Sequence, residues 1–108
     1  MNRTQRALQI WQILIGAAHN RQVLTYGILG EFVGMPPIAL SQPLGLIMEY
    51  CDDKGLPPLT LLVVQTEGGK PGEGLTTVDD PDQDREKVFN FNWYGLEPLE
   101  SSVFEKYQ

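Results

Sequence analysis

Residues 24–45, LTYGILGEFVGMPPIALSQPLG, decide the fold that the sequence predicts. Thr25 is a residue type that caps helix N-termini, and the apolar residues after it recur at helical spacing. Gly34 suits the left-handed position that commonly ends a helix. We therefore predict a short helix over residues 26–33. Its predicted buried face consists of Ile28, Leu29 and Phe32.

The step MPP (35–37) predicts a turn, because each proline restricts the residue before it to extended conformations. A third helix follows within residues 38–51, and Pro43 lies inside it. Either that helix begins near Ser41, with Ser41 as its cap and Pro43 in its first turn, or a one-turn helix precedes it, and we favour the first. Two helices joined by a short turn indicate a helix-turn-helix. The predicted buried face of the third helix consists of Leu44, Ile47, Met48 and Cys51.

An amphipathic helix precedes this motif, and strands follow it. Residues 4–19 have apolar side chains at helical spacing behind Thr4 as a cap. Residues 59–65 (LTLLVVQ) form a continuous apolar run and predict a strand that is buried on at least one face. Residues 66–74 (TEGGKPGEG) predict a Gly-rich hairpin or wing, and residues 88–96 (VFNFNWYGL) predict an aromatic strand that pairs with the first. The apolar positions of the first helix are Leu8, Trp11, Leu14, Ile15 and Ala18.

The order of these elements predicts an α+β fold. We expect one small winged helix-turn-helix-like domain over residues 1–108, with a short antiparallel sheet and a C-terminal aromatic strand. An acidic, mobile loop is predicted at 76–87, and the tail at 99–108 predicts a last short helix. A length of 108 residues and a hydrophobic content of 42% fit one compact domain.

Composition excludes several classes of protein. Cys51 is the single cysteine, which rules out an intramolecular disulfide and a multi-cysteine zinc site and favours a reducing, cytoplasmic setting. The apolar N-terminal stretch is interrupted by Gln9 and Gln12, so it predicts an amphipathic helix instead of a signal peptide. Since no apolar run reaches the ~18 residues that a membrane span needs, we expect no membrane partner.

Charge is distributed unevenly along the chain. Residues 1–30 hold three arginines and no acid (+3), residues 31–75 hold two bases and six acids (−4), and residues 76–108 hold three bases and eight acids (−5), for a total of −6. Nucleic-acid-binding proteins usually show the opposite balance, since phosphate neutralisation supplies much of their affinity. DNA binding gains support if Arg3, Arg6, Arg21 and Lys70 share the face of the third helix. It loses support if Glu49, Asp52, Asp53 and the acidic residues of 79–84 crowd that face.

Four segments resemble the DNA-binding half of alkylguanine DNA alkyltransferases and alkyltransferase-like proteins. They are LTYGILGEFVG (24–34), IALSQPLGLIM (38–48), GLPPLTLLVVQ (55–65) and GGKPGEG (68–74). In that family a Thr/Ser-Tyr-Gly segment opens a helix ending in Leu-Gly, a recognition helix follows, and a Pro-Cys-His-Arg-Val strand precedes a Gly-rich wing. The resemblance covers roughly half of the chain and implies a winged-helix fold that binds DNA. Residues 55–74, together with the aromatic segment that follows, also resemble segments of uncharacterised bacterial and phage-associated proteins. Because those proteins have no known activity, this resemblance implies little about function.

The chain departs from the alkyltransferases where their chemistry resides. The family's Cys-His pair would fall near residues 59–61, where neither a thiol nor an imidazole is present, so thiolate attack at that site is excluded. Alkyltransferase-like proteins also lack the nucleophile and still bind lesions, so the resemblance implies binding without methyl transfer. The family's base-stack arginine aligns near Gln42, which can pair with adenine but lacks the charge. Of the family's DNA-contact positions, Tyr26 is the one at which this chain has the matching residue.

The candidates for DNA contact come from the helix-turn-helix, the predicted wing and the loop before the second helix. Ser41 and Gln42 open the predicted recognition helix and would reach bases or phosphates, while the alternative is an ordinary exposed helix start. Arg21 either contacts phosphate or remains a solvated charge. Lys70 at the wing tip would contact phosphate, although two neighbouring glutamates oppose this. The full set is Tyr26, Ser41, Gln42, Lys70 and Arg21.

The candidates for protein contact lie in the C-terminal third. The acidic cluster is either a solvated loop or a patch for a basic partner, and Pro81 together with the missing central glycine argues against a calcium loop. The aromatic pair belongs to the core, to a dimer contact or to an exposed binding patch. This set is Asp79, Asp80, Asp82, Asp84, Trp93 and Tyr94. We predict no metal site and no cofactor.

Two functions follow from these patterns. The sequence contains no nucleophile–base pair, metal-ligand set or cofactor fingerprint, so we expect a protein that is not an enzyme. The first hypothesis is a DNA-binding winged-helix module of alkyltransferase-like type, with double-stranded DNA as its partner. The alternative is an acidic protein-interaction or inhibitory module, such as a DNA mimic, that binds a basic partner protein. A homodimer through the aromatic segment is compatible with both.

Overall fold

The computed structural model describes residues 1–65 and 81–108. The predicted wing and residues 76–80 of the predicted acidic loop lie outside the described residues, and so do Lys70, Asp79 and Asp80. Of Pro81 and Asp82, only the backbone is described. The α-helices and strands, in chain order, are α1 (Arg3–His19), β1 (Leu24–Thr25), α2 (Tyr26–Val33), α3 (Ser41–Lys54), β2 (Val63–Val64) and α4 (Pro81–Asn90).

Four short 3₁₀ helices accompany these elements in the described residues, two within the connections that flank α3 and two after α4. They are Pro37–Leu40, Leu59–Leu62, Trp93–Gly95 and Ser101–Tyr107. The described chain is therefore a mixed domain that is mostly helical and carries a two-stranded sheet. This confirms the predicted combination of helices with a small sheet.

The cap of α1 is Asn2, two residues before the predicted cap Thr4. The Asn2 side chain accepts a hydrogen bond from Gln5 N at 2.9 Å, and the Gln5 side chain accepts one from Asn2 N at 3.0 Å. This reciprocal capping box satisfies two backbone N–H groups that the helix itself leaves unpaired. Thr4, predicted as the cap, is instead buried inside the helix. The predicted apolar positions Trp11, Leu14 and Ala18 are buried, whereas Leu8 and Ile15 are half-buried.

α2 begins and ends where the sequence predicts, but its buried face is rotated. Thr25 Oγ1 accepts from Ile28 N at 3.1 Å, and Gly34 ends the helix with a left-handed φ of 71°. Leu29 is buried as predicted, whereas Ile28 is 42% and Phe32 is 61% exposed. The buried stripe runs instead through Leu29, Gly30 and Val33.

α3 combines the two arrangements that its sequence allowed. The helix begins at Ser41, and the 3₁₀ helix Pro37–Leu40 precedes it. Ser41 is not the cap, because the chain enters α3 from Leu40 in a helical conformation. The Ser41 hydroxyl donates backwards to the Ile38 carbonyl at 3.3 Å. Leu44, Ile47 and Cys51 are buried as predicted, and Met48 is half-buried.

The strand predicted at 59–65 is reduced to two residues. Leu59–Leu62 forms a 3₁₀ helix, and only Val63–Val64 pairs, parallel to Leu24–Thr25. The described sheet is therefore parallel instead of the predicted antiparallel one. All six residues of 59–64 are buried. A mainly apolar run without alternating polar residues predicts burial, but it does not distinguish a strand from a helical turn.

The predicted aromatic strand at 88–96 is wrong. α4 covers residues 81–90, so residues 81–87 of the predicted acidic loop are helical as well. The helix has Pro81 at its first position, acidic residues near its start and Lys87 in its last turn, which together are a helix signal that the loop interpretation missed. The short helix predicted in the tail is present as Ser101–Tyr107.

α1 lies at the centre of the core, and the C-terminal segment packs beside it. Trp11 makes edge-to-face contacts with Tyr50 and Trp93, with both pairs of ring centroids 5.6 Å apart. The tail is held on α3, because Asp53 accepts hydrogen bonds from Lys106 Nζ at 2.8 Å and from the Tyr107 hydroxyl at 2.5 Å. Within residues 1–65 and 81–108, no helix is both long enough and apolar enough to cross a bilayer.

Candidate nucleic-acid interface

A groove of about 430 Å³ separates the start of α1 from the start of α3. We name it the α1–α3 groove. Ser41 and Gln42, both exposed, form one wall, and the Arg3 and Arg6 side chains form the other. The groove is completed by Met1, Asn2, Met35, Ile38, Ala39 and Pro43.

Arg6 links two of the helices beside this groove, α1 and α2. Its Nη1 donates to the Val33 carbonyl at 2.7 Å and to Gln9 Oε1 at 3.0 Å. The bond to Val33 satisfies a carbonyl at the end of α2 that has no partner within that helix. Arg6 therefore fastens α2 to α1 while its charge stays in the groove.

The charges that line the α1–α3 groove are of one sign. Arg3 and Arg6 are the charged residues on its walls, and none of its described lining residues is acidic. The first turn of α3 carries no acidic side chain, so no carboxylate at that position opposes the charge of the two arginines. An anionic ligand is therefore favoured in this groove.

Two shallower depressions extend the groove on either side. One, of about 270 Å³, runs past Arg3 and Gln42 toward Glu49. The other, of about 330 Å³, contains Tyr26, Ile38 and Ser41. Ser41 borders all three, so it lies at the centre of a continuous surface. Burial raises the pKa of the Tyr26 hydroxyl above its ordinary value of 10.0, and Tyr26 is therefore a neutral hydrogen-bond donor at physiological pH.

The structure brings together three of the residues proposed for DNA contact, namely Tyr26, Ser41 and Gln42. Arg21 does not join them. Its guanidinium lies 2.5 Å from Glu86 Oε2 and is stacked over the Phe89 ring at 4.9 Å, so its charge is engaged by α4. The arginines that reach α3 are instead those of α1.

The residues proposed for protein contact divide between surface and core. Asp84 is half-buried and pairs with Lys87 at 3.3 Å. Trp93 is a core residue and not a surface contact, because it is 4% exposed and its indole Nε1 donates to the Val88 carbonyl at 2.8 Å. Tyr94 is 60% exposed, and its ring lies edge-on to His19 with centroids 5.5 Å apart.

The thiol of this chain is poorly placed for chemistry. Cys51 is 1% exposed, and burial raises its pKa to about 11. A thiol in this state is neutral near pH 7 and closed to a substrate. Among the described residues, no three His, Cys, Asp or Glu side chains are grouped closely enough to hold a metal ion.

No protein-family model, curated protein or solved structure matches this chain. Its function is therefore inferred from the residues, geometry and charge of its own surface.

Sequence reasoning named Arg3 and Arg6 as charges but did not place them in the site. Their separation of three residues puts both on one face of a helix, which was a usable signal. The contact of Arg6 with Val33 spans 27 residues, and no local pattern reports a contact of that kind. The exposed Ile38, at 87%, was likewise assigned no role.

Proposed function

We propose that this chain is a non-enzymatic DNA-binding module that presents the α1–α3 groove to a duplex. The observation that supports the proposal is the grouping of Arg3 and Arg6 with Ser41 and Gln42 at the start of α3, with no acidic residue among the described lining residues. The overall charge of −6 disfavours approach to DNA, but salt screens charges further than about 8–10 Å away, so the charges that face the phosphates contribute most.

α2, the turn and α3 serve in this proposal as the helix-turn-helix of a winged-helix domain. The first residues of a recognition helix contact base edges in such domains, and Gln42 is exposed at that position. A glutamine amide pairs with adenine in the major groove, and Arg3 would contact a flanking phosphate. Tyr26 adds a neutral donor beside Ser41, and Lys70 remains a contact predicted from the sequence alone.

Only the first turn of α3 is suited to approach DNA. Glu49 lies seven residues after Gln42, about 10 Å further along the helix axis at 1.5 Å per residue. A carboxylate facing a phosphate at about 8 Å costs about 2 kcal/mol at an effective dielectric constant of ~20. The duplex therefore meets the N-terminal end of α3, and the later turns of the helix point away from it.

Methyl transfer forms no part of the proposal. Residues 59–61, where the alkyltransferases carry their Cys-His pair, are buried here and contain neither residue type. Cys51 is buried as well, with a pKa of about 11. We therefore assign the chain to binding, in the manner implied by its resemblance to alkyltransferase-like proteins.

The test is fluorescence anisotropy with a labelled mixed-sequence duplex and a matched single strand, at low and moderate salt. We expect saturable duplex binding that weakens as salt rises, because bound phosphates release counterions. Arg3→Ala should weaken binding to every sequence and lower the salt slope by about one. Gln42→Ala should leave the salt slope unchanged and reduce the preference for sites containing adenine.

Lys87→Ala is the matched control, since it removes one exposed cation outside the α1–α3 groove. It should change the affinity for DNA much less than Arg3→Ala does. Equal losses in the two variants would mean that binding follows net charge, and no duplex binding at low salt would exclude the function.

A further inference from the structure

A second cleft, of about 250 Å³, lies between α1 and the segment 93–99. We name it the C-terminal cleft. Leu8, Trp11 and Ile15 supply its α1 wall, and Trp93, Leu96 and Leu99 face them. It shares no lining residue with the α1–α3 groove. A volume of this size is below the ~300–1,000 Å³ of small-molecule pockets and suits a single apolar side chain.

The floor of this cleft is formed before any ligand arrives. Trp11 and Trp93 are buried and hold one another edge-to-face, with ring centroids 5.6 Å apart. The hydrogen bond from Trp93 Nε1 to the Val88 carbonyl fixes the second indole. A preformed apolar pocket needs little reorganisation on binding, which is the property of the pockets that anchor protein interfaces.

The charge at the rim indicates what kind of side chains flank the anchor. Glu97, which is exposed, is the charged residue among the described residues that line the C-terminal cleft. A neighbouring cleft of about 580 Å³ shares Leu96 and Leu99 and adds Glu100 together with Lys54. Around the two clefts, the carboxylates of Glu97 and Glu100 outnumber the single lysine, Lys54. Residues 76–108 as a whole carry eight acids against three bases. Cations are favoured beside the apolar pocket.

We propose that the C-terminal cleft is the docking site for a basic segment of a partner protein. The segment inserts one leucine-like side chain between Ile15 and Leu96, above the buried floor of Trp11 and Trp93. It places flanking lysine or arginine side chains near Glu97 and Glu100. The apolar anchor supplies the affinity, and the carboxylates select the partner by charge and speed its approach. Because the lining residues differ from those of the α1–α3 groove, this inference stands whether or not the chain binds DNA.

The probe is the capped hexapeptide Lys-Lys-Leu-Leu-Lys-Lys, titrated into the ¹⁵N-labelled full chain and followed by two-dimensional NMR. We expect saturable shifts of the Trp11 and Trp93 indole N–H signals and of the amides of residues 96–99. Two matched peptides dissect the recognition. Replacing the leucines with serine should abolish saturation at the cleft, and replacing the lysines with glutamate should abolish binding.

Two variants test the cleft itself. Glu97→Gln should weaken the peptide about fivefold. Gln12→Arg places a cation at the mouth of the cleft on an exposed α1 position and should prevent binding. Glu31→Gln is the matched control, because it removes one exposed carboxylate on α2, outside both clefts, and should leave the affinity unchanged.

Three results would overturn the proposal. Equal binding by the leucine and serine peptides would reduce the interaction to non-specific charge attraction. Equal weakening by Glu97→Gln and Glu31→Gln would place the peptide elsewhere. Shifts of the cleft signals with protein concentration, in the absence of peptide, would identify a second copy of this chain as the occupant.

Discussion

Among single residues, Cys51 couples the stability of the fold to alkaline pH. Burial raises its pKa from an ordinary value of 9.0 to about 11. Between these values the unfolded chain releases a proton that the folded chain keeps, so the free energy of unfolding falls as pH rises. The contribution of the thiol is complete below about pH 9 and is lost as the pH rises through about 11, on the order of 3 kcal/mol in total.

Urea unfolding at pH 8 and pH 10, in the presence of a reductant, checks this expectation. Burial also raises the pKa values of Tyr26 and Tyr50, which adds to the alkaline sensitivity of the fold, so the comparison is between the wild-type chain and Cys51→Ala. We expect the wild-type chain to lose roughly 1 kcal/mol more than the variant over this interval. Equal losses in both proteins would assign the alkaline sensitivity to the tyrosines.

Among elements, the turn between α2 and α3 depends on a close approach that only glycine permits. A Cβ added at Gly30 would lie 2.5 Å from the carbonyl oxygen of Met35, and the Met35 N–H donates to the Gly30 carbonyl at 2.9 Å. Gly30→Ala must therefore displace the turn backbone, which should cost about 1–3 kcal/mol of stability.

Gly45 provides the control for this substitution. It is also a helix-interior glycine, but an added Cβ would meet nothing within 4 Å. Gly45→Ala should therefore raise the stability by about 0.5–1 kcal/mol, since alanine is the better helix former. Thermal unfolding of the two variants should show opposite changes in Tm. If Gly30→Ala left Tm unchanged, the close approach of Gly30 to the Met35 carbonyl would be contradicted.

The sequence predicted those helix boundaries that are set by residues next to them in the chain. The Thr25 cap, the Gly34 terminus and the start of α3 at Ser41 each depend on a few adjacent residues, and all are confirmed. The strand predicted at 59–65 is limited to Val63–Val64, and the one predicted at 88–96 is absent. Hydrophobicity alone does not separate a buried strand from a buried helical turn. Tertiary packing decided the first segment, whereas the second overlaps α4, whose local helix signals the strand interpretation missed.

The candidate site likewise contains residues that local sequence signals identify and residues that only tertiary packing brings together. Tyr26, Ser41 and Gln42 belong to one short motif, and sequence reasoning found them together. Arg3 joins Gln42 only because α1 packs against α3, across nearly 40 residues of chain. Arg21 was misplaced for a related reason, since its partner Glu86 is 65 residues away.

For the whole molecule, Trp11 joins the N-terminal helices to the C-terminal segment. Its ring contacts Tyr50 on α3 and Trp93 after α4, each with centroids 5.6 Å apart. Trp11→Ala would open a cavity between these parts at a cost of about 3–5 kcal/mol, a large share of the ~5–15 kcal/mol that stabilises a typical domain. Trp11→Phe keeps an aromatic ring at the contact and should cost less.

Trp11→Phe also provides the probe that decides whether the chain unfolds as one unit. The chain has two tryptophans, so in this variant the fluorescence reports Trp93 alone, while far-UV circular dichroism reports all the helices. Because Trp93 is buried against α1, we expect both signals to give the same urea midpoint. An earlier midpoint for the fluorescence would mean that the C-terminal segment detaches from helices that remain folded. The C-terminal cleft would then open before the α1–α3 groove, because one wall of the cleft belongs to that segment.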